Sequence, residues 1–166
     1  MNIKTKRGLI FIIITTVLII YLIFNNTNEN IAKRYVKDKG YKIISEKGEV
    51  QKYIFDKSLL ESKSENILYH QVWSVQNNEP SKYFGKEILV YGFEVKNHPL
   101  EKKDSNAKDG VDLYIMLTDN KVIGGFSLPN VFTFGSCYPL DGRTLEEITG
   151  LTYSEWTKIW NEKKFK

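Results

Sequence analysis

An α+β fold is the architecture the sequence predicts: an N-terminal transmembrane helix, then a helix plus an antiparallel sheet of about five strands with C-terminal helices. Three observations carry it. An uncharged aliphatic run, "GLIFIIITTVLIIYLIF", fills residues 8–24 directly behind a basic terminus. Runs rich in β-branched and aromatic residues, "EILVYGFEVKN", "VDLYIMLT" and "KVIGGFS", follow at short intervals and read as strands. Finally, "TLEE" and "TYSE" near the end each place a hydroxyl three residues before a glutamate, the capping-box signature of a helix start.

The apolar run comes first in the chain. At about 1.5 Å per residue a helix over residues 8–24 spans roughly 25 Å, close to the hydrocarbon thickness of a bilayer. Inside lipid the backbone must bond to itself, so the segment is predicted as helix. A cleaved signal peptide needs small residues after its apolar core, and "YLIFNNTNENIA" offers no such site. The reading is therefore an uncleaved anchor, with the lipid bilayer as its partner. Lys4, Lys6 and Arg7 place residues 1–7 in the cytoplasm and the main domain outside. Lys33, Arg34, Lys37 and Lys39 on the far side oppose that orientation, but the first flank is closer and free of acids. Residues 25–30, "NNTNEN", read as a polar stalk, and residues 31–166 as an extracytoplasmic α+β domain.

Within that domain Ile31, Ala32, Tyr35 and Val36 share a helical stripe ending at Gly40. "YKIIS" and "VQKYIFD" read as two strands of a hairpin turning at Lys47-Gly48, and Asp56 as the cap of one helical turn. "NILYHQVWSVQ" fits both periods: Tyr69, Gln71, Trp73 and Val75 alternate, while Leu68, Val72 and Val75 have helical spacing. "HPLEKKDSNAKDG" is predicted as a long polar hairpin loop, and Asp119-Asn120 as a tight turn. Trp156, Ile159 and Trp160 form one apolar edge of a final helix expected to dock on the sheet.

The composition bounds the chemistry. Three of the 24 basic residues precede the first acid, leaving 21 against 20 acidic residues in the rest of the chain. So balanced a domain has no basic face for nucleic acid. One cysteine, Cys137, excludes an internal disulfide and a CxxC pair. His70 and His98 are the only histidines, too few for an ordinary zinc set, and His70 has no HExxH partner. The acids of "EKKDSNAKDG" lack calcium-loop spacing and stand among lysines. Gly124-Gly125 lacks the further glycines and the helix start of a phosphate loop. The pair reads instead as a bend in a strand beneath a large aromatic side chain. No catalytic, cofactor or metal residue is assigned.

The phrases "VKDKGY", Tyr83–Lys86 (Y-x-G-K), Asn97–Pro99 (N-x-P) and Val122–Gly125 (viGG) together resemble a domain of unknown function found in small membrane-anchored or secreted Firmicute proteins. The likeness covers about residues 31–125, and the anchor fits the family's habit of sitting at or beyond the membrane. Phe126 stands where that family continues with an acid. No activity is assigned to the family, so the resemblance implies no catalytic residue. The expected function is a non-catalytic binding or interaction module at the Gram-positive cell surface, with an envelope protein as partner. The alternative is an envelope hydrolase or thiol enzyme using Cys137 with His70 or His98.

Overall fold

The computed structural model describes residues 12–18, 26–61, 66–131 and 137–162. The element order is α1 (Asn28–Asp38), β1 (Lys42–Ile54), α2 (Ile67–Ser74), β2 (Glu87–Lys96), α3 (Leu100–Lys103), β3 (Val111–Thr118), β4 (Lys121–Pro129), β5 (Tyr138–Pro139), α4 (Leu145–Thr149) and α5 (Tyr153–Glu162). Short 3₁₀ turns at Lys57–Leu60, Pro80–Tyr83 and Ser105–Ala107 punctuate the connections. The five strands make one antiparallel sheet in the order β1-β2-β3-β4-β5. The expected α+β class, strand number and C-terminal helices are all present.

Each face of the sheet buries its own core. Tyr91, Phe93 and Val95 of β2, with Leu113 and Ile115 of β3, pack against Ala32 and Val36 of α1 and Leu100 of α3. The alternate residues Ile88, Val90 and Met116 meet Phe55, Trp73, Trp156 and Trp160. Covering on both faces is why β3 reads as an almost unbroken apolar run rather than an alternating one. The Phe55 and Trp73 rings stack at 4.0 Å and 4° in the second core. Burying one such aromatic side chain contributes about 1.5–3 kcal/mol.

Several local signals work as read. Gly40, with φ 82°, follows the Lys39 C-cap of α1. Asp119 and Asn120 take φ 51° and 57°, the left-handed pair a two-residue hairpin needs. The Thr144–Glu147 capping box is formed in both directions, and Thr152 and Glu155 exchange the same bonds.

Four expectations are corrected, and one open reading is resolved. Residues 42–54 are one continuous strand, not a hairpin at Lys47-Gly48. Gly48 (φ 71°) lies between two register shifts against β2, so the glycine bulges the strand without reversing it. Within residues 66–76, which fit both periods, Ile67–Ser74 is helix, because His70 and Trp73, three apart, both point inward; Leu68 of the helical stripe is exposed. The predicted loop after β2 is not merely polar: it folds into α3 and a 3₁₀ turn and plugs the first core with Leu100 and Ala107. Ile159 is 54% exposed, so the apolar side of α5 that docks is Trp156 and Trp160, without Ile159. Helix α1 begins at Asn28, inside the predicted stalk, because the Thr27 hydroxyl accepts from the Asn30 amide and caps it.

Among the described residues no helix is long and apolar enough to cross a membrane. Of the predicted span 8–24 only residues 12–18 are described, and they are helical. The predicted cytoplasmic segment 1–7 lies outside the described residues, as does the rest of that span.

Candidate functional site

The sheet narrows on the β4 side, and that narrowing makes a cavity. Strand β5 is only two residues long and pairs with Phe126 and Ser127 of β4. Upstream, the outer edge of β4 meets no strand among the described residues. A cavity of about 280 Å³ opens there, between the end of α1 and the segment that follows α2. Tyr35, Lys39 and Tyr41 form one wall, Val75–Asn78 the other, and Val122–Gly125 the floor. Leu140 and Asp141, just past β5, close one end.

The floor depends on the two glycines. A Cβ on Gly124 would lie 2.1 Å from Gln76 Oε1, and one on Gly125 would lie 2.1 Å from the Tyr114 carbonyl. The expected close approach is therefore present, but a side-chain amide rather than an aromatic ring fills it over Gly124. Gln76 Oε1 accepts from the Gly125 amide at 2.9 Å, and Gln76 Nε2 donates to the Gly125 carbonyl at 3.0 Å. The same Nε2 reaches the Val72 carbonyl in α2. Asn78 Nδ2 donates to the Ile123 carbonyl at 2.6 Å. Side-chain amides thus take the place of a neighbouring strand's main chain.

The remaining wall groups are polarised differently. Tyr41 donates its hydroxyl to the Leu140 carbonyl at 2.8 Å, and burial first, then Asp141, pushes its pKa up to about 12. At neutral pH it is a fixed donor, not an acid–base group. Lys39 holds its ammonium 5.4 Å above the Tyr35 ring, a cation–π contact at the rim. Asp141 is exposed and receives Arg143 Nε at 2.8 Å. The site can therefore hydrogen-bond and enclose a small ligand; its groups are not arranged for proton transfer.

The singled-out residues fall elsewhere. His98 is only 2% exposed, and both ring nitrogens are committed: Nδ1 accepts from the Leu100 amide, which leaves Nε2 to donate to the Leu140 carbonyl. Burial lowers its pKa, so it stays neutral. His70 packs edge-on against the stacked Trp156 and Trp160 rings at 5.3 and 5.5 Å, and burial lowers its pKa too. Cys137 is 4% exposed in the Trp73 core, and burial pushes its thiol up to about 12, away from the thiolate a nucleophile needs. No hydrogen bond among the described residues joins Cys137 to either histidine. Nor do any three His, Cys, Asp or Glu among the described residues gather as a metal site.

The glycine pair was visible in the sequence; its partners were not. Gln76 ends the segment 66–76 that fits both periods, and Asn78 follows it just before Pro80; neither position signals a contact with β4. No family model, curated protein or solved structure matches this chain.

Proposed function

We propose that this protein is a single-pass membrane protein whose α+β domain stands outside a Gram-positive cell and works as a non-catalytic binding module. The observation that carries the binding role is the cavity floored by Gly124-Gly125, walled by Tyr35, Tyr41 and the Gln76–Asn78 amides. Its volume is just under the roughly 300–1,000 Å³ typical of ligand pockets, so the ligand group is small. An envelope protein presenting such a group is the partner of this reading.

The anchor is supported by chemistry at residues 12–18. Ile12, Ile13, Ile14, Val17 and Leu18 all face outward, and the Thr15 and Thr16 hydroxyls bond back to the Ile12 carbonyl. A helix in lipid needs that internal satisfaction of its polar groups. The resemblance of residues 31–125 to the Firmicute domain is in keeping with the same location.

The test is labelling of intact cells with a membrane-impermeant maleimide. Because Cys137 is buried, the reporter is a Lys158→Cys variant, at an exposed position of α5. Labelling before lysis is expected. Labelling only after lysis would place the domain in the cytoplasm and remove the envelope reading.

A further inference from the structure

Main-chain groups on one edge of a strand come from alternate residues, here Ser127, Gly125 and Ile123. Along β4 these three are served by three different neighbours. Ser127 is paired with Tyr138 of β5. Gly125 gives both its amide and its carbonyl to Gln76, and Ile123 gives its carbonyl to Asn78. The two bonds between Gln76 and Gly125 are the pair that a residue of an added antiparallel strand would make. The cavity lies directly over this stretch.

The geometry points to an extended peptide segment as the ligand, adding to β4 at Ile123–Gly125 as a continuation of β5 and displacing the Gln76 amide. This rests on the reading of the cavity as a binding site and names its occupant. Strand addition of this kind draws its affinity from main-chain bonds and its specificity from pockets for alternate side chains. Here the main-chain term is nearly balanced, because one amide pair replaces another. Net affinity comes from one ligand side chain lodged among Tyr35, Val122 and Leu140, and from the rim charges Lys39 and Asp141. The rings are poorly placed for stacking a flat ligand: Lys39 covers Tyr35, and Tyr41 packs on His98 at 4.7 Å. Amide groups, by contrast, line the walls.

The consequence runs against intuition for a lining residue. Gln76 competes with the peptide, so removing it strengthens binding. The experiment selects bead-displayed, N-acetylated, C-amidated random octapeptides on the full chain in detergent micelles. Selected peptides are then remade with a single N-methyl group at each backbone amide in turn. N-methylation at alternate positions is expected to weaken binding about tenfold, and Gln76→Ala to tighten it by up to about tenfold. Binding indifferent to N-methylation at every position, or weakened by Gln76→Ala, overturns the proposal. Should Gln76→Ala fail to fold, the N-methyl scan on the wild-type chain decides alone. A tetramer of N-acetylglucosamine serves as the second probe, read at the Gly125 amide resonance. If only the saccharide shifts that resonance, the peptide is wrong and the binding module stands; if neither probe does, both readings fall.

Discussion

The two edges of the sheet are protected in opposite ways. Strand β1 runs 13 residues along one edge and guards itself. It has three register shifts against β2, and Lys42, Glu46, Lys47, Glu49 and Lys52 scatter charge along it. Bulges and charges of this kind discourage pairing with another chain. The β4 edge carries one bulge, at Ile123, and Lys121 and Pro129 at its ends, but nothing of its own covers the main chain of Ile123–Gly125. Its protection comes from Gln76 and Asn78, 49 and 45 residues away from their partners. A guard built into a strand cannot be withdrawn, whereas a borrowed side-chain amide can rotate away. The difference separates an edge closed for good from an edge that can open.

Substitutions at a glycine on each edge sharpen this contrast most. Gly125→Val sets a Cβ about where the Tyr114 carbonyl and Leu140 Cδ2 already sit, at 2.1 and 2.8 Å. A loss of about 3 kcal/mol or more is expected in urea unfolding. Gly48→Ala on β1 meets nothing within 4 Å and strains only its positive φ, for about 1 kcal/mol. Equal losses at the two positions would remove the contrast between the crowded glycine of β4 and the uncrowded glycine of β1.

Gln76→Ala comes next in size. It leaves the Gly125 amide and carbonyl without their partner, and the expected cost is about 1–3 kcal/mol. A smaller effect than this in thermal unfolding would mean that water serves the edge equally well.

Acid is expected to loosen the β4 side as well. His98 holds the Leu140 carbonyl at the turn after β5, and burial puts its pKa below the ordinary 6.5. The folded state then binds fewer protons than the unfolded one, so stability rises with pH. The contribution is complete above the unfolded value and is lost as pH falls through 6.5 toward the folded value. His70, also lowered, acts in the same direction from the α5 side. Urea midpoints measured from about pH 7.5 down to about pH 5.5 should therefore fall, and His98→Gln should flatten part of that slope.

The smallest effect on folding belongs to β1. Replacing Lys42 and Lys52 with threonine should leave the melting temperature unchanged, because both side chains are exposed. Self-association in sedimentation velocity should increase instead. A still-monomeric chain would show that the bulges and the remaining Glu46, Lys47 and Glu49 are enough to protect this edge.

What the sequence made legible follows the range of the interactions. Capping boxes, the Asp119-Asn120 turn and the inner strands rest on contacts within a few residues, and these elements appear where the residues place them. The Lys47-Gly48 misreading has a local cause: a glycine at positive φ looks the same in a bulge as in a turn. Only the pairing of Gly48 with Gly92 in β2 tells them apart. The helix over Ile67–Ser74 was ambiguous because its buried face was set by Phe55 and the distant Trp156 and Trp160 rather than by its own pattern. For the candidate site, Gly124-Gly125 announced a close approach. Its occupant depended on a glutamine nearly fifty residues earlier, at the end of a segment whose pattern fits both helix and strand and says nothing of β4.

Hydrogen exchange at the Gly125 amide, in the full chain and in Gln76→Ala, tests the borrowed guard most directly. The account predicts a protected amide in the wild type and exchange faster by about tenfold or more in the variant. The Tyr114 amide in the central strand β3 should stay unchanged. Identical Gly125 exchange in the two proteins would contradict it, since Gln76 would then not be what closes the edge.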